Sequence, residues 1–188
     1  MSSHILIVYG TTYGQTQKIA EHIRDRLSDE FGVTVVRGDA PMNPLTADHF
    51  DGVLVGGSIL AGRHQRYIEE FVRRNVATLN AMPSALFSVS GSAGSEKPSG
   101  RADAQRCADR LLDDTQWRPQ LVATIAGCIA YTKYAWPMRM VLKFISWRAG
   151  GSTDTSRDHE YTNWAQVDRF ASDFGTIVRE SASHPLPV

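Results

Sequence analysis

Short apolar runs alternate along the chain with segments whose apolar residues have helical spacing. Runs rich in apolar and β-branched residues predict five strands, at 5–9, 33–37, 52–57, 84–90 and 121–131. Apolar residues that recur every three or four positions predict helices at 14–29, 67–79, 101–115 and 163–178. Strands that are apolar on both faces and separated by helices are typical of a parallel sheet covered on both sides. The pattern therefore predicts an α/β fold with a three-layer, doubly wound, five-stranded parallel sheet.

Composition and charge narrow the class of protein. The chain has 188 residues, 42% of them hydrophobic, and 20 Lys and Arg residues balance 20 Asp and Glu residues. We therefore expect a single domain over residues 1–188 with no general attraction to nucleic acid. The N-terminus shows no basic secretory leader, and no apolar run approaches the roughly 20 residues that span a bilayer, which predicts a cytoplasmic protein. Cys107 and Cys128 form no CxxC motif, so reduced thiols are favoured over a metal site.

The loops after the first, third and fourth strands are rich in glycine and serine. Their sequences are GTTYGQT at 10–16, GGSILAGRHQRY at 56–67 and SVSGSAGSEKPSGR at 88–101. In a doubly wound sheet, ligands bind at the carboxyl ends of the strands, near the point where the strand order reverses. We therefore expect these three loops to form one contiguous rim around a ligand.

The first of these loops is suited to a phosphate. Gly10 and Gly14 allow a tight turn, while Thr11, Thr12 and Thr16 add hydroxyl groups to the backbone amides at the start of a helix. The loop lacks the GxGxxG spacing of a dinucleotide site and the GKS or GKT of a P-loop, and it contains no Lys or Arg. Such an uncharged turn fits a phosphate monoester like that of FMN. From these residues alone, a plain strand-to-helix turn with Thr as N-cap fits equally well.

The segment YGTTYGQTQKIAEHI resembles the phosphate loop of flavodoxins. The remainder of the chain is similar to one branch of that superfamily, the flavodoxin-type, quinone-dependent protoporphyrinogen IX dehydrogenases of haem biosynthesis. The matching stretches occur in order along nearly the whole chain: GGSILAGRHQRYIEEFV, MPSALFSV, TQWRP, IAGCIAYTKYAW, GGSTDT and YTNWAQVDRFA. Several of them are unusual in an ordinary flavodoxin, which makes the resemblance specific.

The resemblance implies a flavodoxin-like fold and a set of FMN-binding positions. The phosphate would be held by Thr11, Thr12, Tyr13, Gly14, Gln15 and Thr16. The isoalloxazine ring would be flanked by Ser58, Ile59, Leu60, Ala61 and Gly62 on one side and by Ser88, Val89, Ser90 and Gly91 on the other. Tyr131, Asp154 and Thr155 are further candidates at the same rim. No metal is implied.

Two positions depart from the family pattern, and two further residues are candidates for chemistry. Tyr13 stands where flavodoxins usually have Thr, and the loop after the fourth strand is less basic than is usual in this branch. Arg63 and His64 are the nearest candidates for proton transfer or for contact with a substrate propionate. For His64, the alternative is an exposed polar residue near a helix N-terminus.

The segment 115–153 carries a strong charge bias in a neutral protein. It contains Arg118, Lys133, Arg139, Lys143 and Arg148 but no acidic residue. Its centre predicts an amphipathic helix beginning at Pro137, within an insertion at about 132–162, with far more apolar surface than a soluble surface helix needs. This helix could be buried on two sides, could touch a membrane surface through Trp136 to Arg148, or could form a wall of a large apolar site.

These observations favour an enzyme over an electron carrier. A carrier flavodoxin docks on basic partners through a strongly acidic surface, and this chain has no acidic excess. An NAD(P)H-dependent quinone reductase would need a nicotinamide site, for which the sequence shows no motif. The resemblance implies FMN-dependent oxidation of protoporphyrinogen IX, a tetrapyrrole, with a membrane quinone as electron acceptor. It leaves the oligomeric state open, and it is compatible with peripheral contact with the cytoplasmic face of the inner membrane.

Overall fold

A computed structural model of the chain describes residues 3–40, 49–129 and 159–183. Within these ranges the strands are β1 (His4–Gly10), β2 (Gly32–Arg37), β3 (Gly52–Ser58), β4 (Ser84–Ser90), β5 (Leu121–Ala126), β6 (Cys128–Ile129) and β7 (His159–Glu160). The helices there are α1 (Gln15–Leu27), α2 (Arg66–Ala81), α3 (Pro98–Thr115) and α4 (Trp164–Ser183), with a 3-10 turn at Ser92–Gly94.

The main sheet has five parallel strands in the order β2-β1-β3-β4-β5, which confirms the predicted doubly wound fold. The order reverses at β1, because the chain goes from β1 outward to β2 and then crosses back to β3 on the other side. Val8 of β1 pairs with Val36 of β2 and Val55 of β3. The carboxyl ends of β1 and β3 therefore lie side by side at this switch point, where ligands bind in such sheets.

The sheet separates two apolar layers. On one face, Ile7 and Phe87 pack against α1 and α4, and on the other face Val8 and Leu86 pack against α2 and α3. All four side chains are fully buried. This alternation between layers explains why the strands are apolar along their whole length.

The predicted strand at 121–131 is wrong in its second half. The parallel pairing of β5 ends at Ala126, and the next residues form β6, which pairs antiparallel with β7 in a separate two-stranded ladder. Gly127 lies at the change of direction. Its amide donates to the Ser90 carbonyl at 3.0 Å, while its own carbonyl accepts from the Tyr161 amide at 3.1 Å. The apolar run continues through this break, so its pattern does not reveal it.

The helix boundaries that differ most from the prediction are the start of α3 and the end of α4. Helix α3 begins at Pro98 rather than at Arg101, because proline at the first helical position needs no amide partner and already has a helical φ. Helix α4 continues to Ser183, beyond the predicted end at 178. None of the helices in the described ranges has both the length and the hydropathy that crossing a bilayer requires.

Candidate functional site at the carboxyl ends of the strands

The N-terminal end of α1 lacks a side-chain cap. Gly14 occupies the N-cap position with φ 100°, in the left-handed region that favours glycine, and it has no side chain to cap the first turn. The Lys18 amide donates to the Gly14 carbonyl at 3.1 Å, which makes it the first amide of the helix with a carbonyl partner. The amides of Gln15, Thr16 and Gln17 therefore lack an intrahelical acceptor, as in the anion sites at helix N-termini.

Thr16 supplies the observation that distinguishes a phosphate site from a plain turn. The residue is fully buried, and its hydroxyl has no hydrogen-bond partner. Buried hydroxyl groups without a partner are rare in folded proteins, because their desolvation is not compensated. Thr16 lies in the first turn of α1, beside the amides that also lack a partner, so a phosphate oxygen bound there would satisfy both. The residues present thus fit a phosphate.

Thr11 braces the turn from within. Its hydroxyl accepts from the Gly14 amide at 2.9 Å, and its own amide donates to the Tyr67 hydroxyl at 3.2 Å. The Tyr67 hydroxyl also hydrogen-bonds to Arg37, and this bond, helped by the Asp39 carboxylate, raises the pKa of the Arg37 guanidinium. Helix α2 thereby holds the loop that follows β1.

Gln65, which sequence reasoning missed, joins the first loop to the end of β3. Its side-chain amide donates to the Thr12 hydroxyl at 3.0 Å and to the Ser58 hydroxyl. The Thr12 and Ser58 oxygens are themselves 3.3 Å apart. The other end of this side chain, Oε1, is buried without a partner and lies against Gly10, where an added Cβ would approach it to 2.7 Å. The only signal in the sequence was a polar residue just before the predicted second helix.

Replacing Gln65 with leucine is expected to weaken FMN binding several-fold, because the loops after β1 and β3 lose their shared donor. The apoprotein should lose about 1 kcal/mol of unfolding free energy for the two hydrogen bonds. Fluorescence titration of the apoprotein with FMN and urea unfolding measure the two effects. Gln105→Leu is the matched control, because the side-chain amide of Gln105 on α3 also donates to a side chain, the carboxylate of Asp109, but not to either loop. Equal FMN affinities for the two variants would contradict the prediction.

A tight hairpin at residues 60–63 follows β3. The Leu60 amide donates to the Arg63 carbonyl at 2.9 Å, and the Arg63 amide donates back to the Leu60 carbonyl at 3.2 Å. Between them, Ala61 and Gly62 have φ values of 51° and 77°, as a two-residue hairpin turn of this kind requires. The turn strains Ala61, because a residue with a Cβ rarely adopts positive φ. The Ile59 amide donates to the Val89 carbonyl at 2.8 Å and so fixes this hairpin, the 60–63 hairpin, to β4.

His64 is not the exposed residue that one interpretation of the sequence suggested. Only 6% of its surface is accessible, and its Nε2 lies 2.9 Å from the Ser88 hydroxyl. The ring occupies space that Gly57 leaves free, since a Cβ on Gly57 would come within 2.7 Å of His64 Cδ2. Burial lowers the pKa of the imidazole from 6.5 to about 4. His64 is therefore neutral near pH 7 and positions Ser88 from behind the rim.

This burial predicts a pH-dependent stability. Between pH 6.5 and about 4 the unfolded chain binds a proton at His64 that the folded protein excludes, so stability falls as the pH falls through this window. The expected loss at pH 5 relative to pH 7.5 is about 2 kcal/mol from this residue. Urea unfolding of wild type and His64→Gln at the two pH values measures it, because the variant lacks the titrating group. Equal pH dependence in both proteins would contradict the assignment.

The serine side chains at the end of β4 are engaged in hydrogen bonds within the protein. Ser88 bonds to His64, and the Ser90 hydroxyl accepts from the Ala93 amide at 3.1 Å and lies 3.1 Å from the Ser92 hydroxyl. The Ser90 side chain thus caps the turn at Ser92–Gly94. Gly91 between them is exposed. Because the Ser88 and Ser90 hydroxyls already have partners, this segment would contact a flavin ring through its backbone groups and its shape.

Gln15 connects the first turn of α1 to the segment that returns to the sheet after β7. Its side-chain amide donates to the Thr162 hydroxyl at 2.9 Å, which in turn donates to the Ala126 carbonyl at 2.8 Å. Lys18 lies 3.5 Å from the Glu160 carboxylate. The β6–β7 ladder is therefore attached at the same rim as the phosphate turn, and the Gln15 side chain is committed to it.

Several predicted residues lie outside the described part of the chain. They are Tyr131, Asp154 and Thr155, most of the insertion at 132–162, and the basic helix from Trp136 to Arg148. The predictions for these residues remain predictions. Within the described ranges, the structure brings together Thr11, Thr12, Gly14, Thr16 and Ser58 at the switch point.

Comparison with known proteins identifies the family. A family model described as a flavodoxin domain matches residues 6–156. The chain is 36% identical to the protoporphyrinogen IX dehydrogenase (quinone) of Escherichia coli strain K12 over 178 residues, which are 92% of this chain and 94% of that protein. It is 35% identical to the protein of the same name from Leishmania major over 180 residues, 94% of this chain and 76% of that one.

Solved structures support the fold. Oxidised flavodoxin 1 from Bacillus cereus superposes with a TM-score of 0.56 over 93% of this chain and 98% of its own, at 15% identity, a level that shows the fold alone. The family model and the two relatives, 36% and 35% identical, show the family. The chain belongs to the flavodoxin domain family, in its branch of quinone-dependent protoporphyrinogen IX dehydrogenases.

Proposed function

We propose that this protein oxidises protoporphyrinogen IX to protoporphyrin IX, with bound FMN, and passes the electrons to a quinone. The observation that carries this proposal is the extent of the match to relatives of that name. The 36% identity covers 92% of this chain and 94% of the relative from Escherichia coli. Membership of the flavodoxin domain family implies a flavin. The uncharged phosphate turn supports FMN among the flavins, because it suits a terminal monoester.

The described residues would hold the cofactor by its phosphate end. The unpaired amides of Gln15, Thr16 and Gln17 and the free hydroxyl of Thr16 are donors for phosphate oxygens. The Thr11 hydroxyl already accepts from Gly14, so its hydrogen is still available to donate. The absence of Lys and Arg from the turn leaves recognition to amides, hydroxyls and the positive end of α1. When bound, FMN supplies the acceptor of two electrons that each oxidation step needs.

The remaining contribution of the protein is positional. The 60–63 hairpin and the loop after β4 are held at a fixed spacing by the hydrogen bond from Ile59 to Val89. His64, neutral and buried, fixes Ser88 and does not face solvent as a base would. In this arrangement the protein orients substrate and flavin and excludes water, and none of the described residues has to act as a strong acid or base.

The balanced charge argues against an electron carrier, and a nicotinamide-dependent reductase is separated by its electron donor. An electron carrier that docks on basic partners needs an acidic surface, whereas Lys plus Arg and Asp plus Glu are 20 each here. A nicotinamide-dependent quinone reductase would be reduced directly by NADPH. That difference makes the two enzymes separable by experiment.

An anaerobic assay tests the proposal. FMN-loaded protein is mixed with protoporphyrinogen IX and a quinone, and porphyrin fluorescence is followed. We expect a rise that depends on both quinone and FMN and that is absent in a sample prepared without flavin. Bleaching of the flavin by NADPH alone, without any quinone-dependent porphyrin formation, would reject the dehydrogenase and favour a reductase.

Because a membrane quinone lies in the bilayer, its use as acceptor supports the proposal that this protein is cytoplasmic and makes peripheral contact with the membrane. The residues that would make this contact, 136–148, lie outside the described ranges. Flotation of the full protein with vesicles that contain or lack anionic lipid tests the contact. Failure to float with either type of vesicle would contradict it.

A further inference from the structure

Two guanidinium groups are attached to the 60–63 hairpin. Arg63 is its last residue, and Arg110 on α3 reaches the Gly62 carbonyl with Nη1 at a distance of 3.5 Å. The Cys107 thiol donates to the same carbonyl at 3.4 Å. The hairpin therefore rests on the middle of α3, with one cation in it and one beneath it. A contact of 3.5 Å is weak, so most of the five donors of Arg110 remain available.

These two arginines differ from most other arginines of the described chain in having no carboxylate partner. Ion pairs to Asp or Glu are formed by Arg24, Arg26, Arg37, Arg66, Arg74, Arg106 and Arg179. Within the described ranges, no carboxylate comes within ion-pair distance of Arg63 or Arg110, although Asp113 and Asp114 lie one turn further along α3. Their charge is therefore available to an external anion.

The same hairpin presents an apolar surface. Leu60 is 48% exposed, one of two large hydrophobic residues so exposed among those described. Leu60 and Arg63 form a directly opposed antiparallel pair, so their side chains lie on the same face of the hairpin. The turn also keeps Ala61 at a positive φ, and such strain is concentrated at ligand sites.

We infer that the 60–63 hairpin recognises the tetrapyrrole, with its apolar ring on Leu60 and a carboxylate arm on Arg63 and Arg110. This inference rests on the proposed function and names specificity-determining residues for it. A guanidinium pairs with a carboxylate through charge-assisted hydrogen bonds, and a second guanidinium strengthens the site. A quinone, which is uncharged, gains little from such a pair. The cations therefore favour the substrate over the electron acceptor at this face.

The test compares protoporphyrinogen IX, which has free carboxylates, with its dimethyl ester, which has none. Steady-state KM values give the preference of the enzyme for the acid. For Arg63→Gln and Arg110→Gln, we expect the KM for the acid to rise about tenfold, and the preference over the ester to fall by about the same factor. A direct titration of the FMN-loaded protein with protoporphyrin IX and its ester should show the same loss in binding, without turnover.

Arg169→Gln is the matched control, since Arg169 on α4 is exposed and also lacks a carboxylate partner among the described residues. It should keep the wild-type preference for the acid. If both hairpin variants keep that preference while wild type oxidises protoporphyrinogen IX, the inference is rejected and the proposed function stands. If wild type fails to oxidise protoporphyrinogen IX at all, the proposed function is rejected, and the inference with it.

Discussion

Replacing Thr16 with valine should weaken FMN binding by about tenfold to a hundredfold while leaving the apoprotein at least as stable as wild type. The two effects have opposite signs for one reason. In the apoprotein the Thr16 hydroxyl is buried without a partner, so its removal costs no hydrogen bond and relieves an uncompensated desolvation. In the FMN complex the same hydroxyl would donate to a charged phosphate, and valine loses that bond. Flavin fluorescence titration and urea unfolding of the apoprotein measure both quantities.

A second buried threonine provides the control for this experiment. Thr115 is also buried, but its hydroxyl donates to the Leu111 carbonyl at 2.6 Å within α3. Thr115→Val should therefore cost about 1 kcal/mol of stability and leave the Kd for FMN unchanged. If Thr16→Val destabilised the apoprotein as Thr115→Val does, and bound FMN normally, the proposed phosphate site would be wrong.

Replacing Gly56 with alanine should destabilise the fold by about 3 kcal/mol, the upper end of what overpacking usually costs. Gly56 lies in the centre of β3, paired with Tyr9 of β1 and Phe87 of β4. A Cβ at this position would lie 2.0 Å from Phe87 Cζ, and the Phe87 ring is fully buried against Phe170. The ring has to move, and its neighbours leave it no space. Urea unfolding at fixed pH gives the free energy difference.

A double-mutant cycle shows whether the Phe87 ring is the cause. In a Phe87→Leu background the smaller side chain can yield, so Gly56→Ala should cost about 1 kcal/mol less there. Gly62→Ala separates the clash from backbone preference, because a Cβ at Gly62 meets nothing within 4 Å and only its φ of 77° is unfavourable. That variant should lose only about 1 kcal/mol. Additive effects of Gly56→Ala and Phe87→Leu would rule out the proposed clash.

The stability changes at Gly56 and Thr16 concern different parts of the same architecture. Phe87 fills the space that Gly56 leaves, and it packs in the layer of α1 and α4. If the Phe87 ring pushes β3 out of place, the carboxyl end of β3 moves relative to β1 and to the phosphate turn that follows β1. We therefore expect Gly56→Ala to lower FMN affinity as well, through the packing rather than through contact.

The order of strands and helices, their apolar faces and the position of a glycine-rich turn after β1 could be predicted from the sequence, because each depends on residues close together in the chain. Period-two and period-3.6 patterns report which side of an element is buried. The turn at 10–16 is likewise local, since glycines and threonines directly follow a buried strand. From the residue pattern alone, this turn fits a phosphate site and a plain strand-to-helix turn equally well. The family resemblance favours the phosphate site and adds the positions expected beside the flavin ring.

Contacts between distant segments were decided only by the tertiary structure. The break at Gly127 depends on pairing with residues 159–160, more than 30 positions further along, while the apolar run itself continues unchanged. The burial of His64 depends on the space above Gly57 and on Ser88 of the next strand. Gln65 joins two loops only because the sheet places β1 beside β3. A local sequence pattern indicates which face of a helix or strand is buried. The partner of a polar side chain comes from a segment that is distant in the sequence, so only the tertiary structure identifies it.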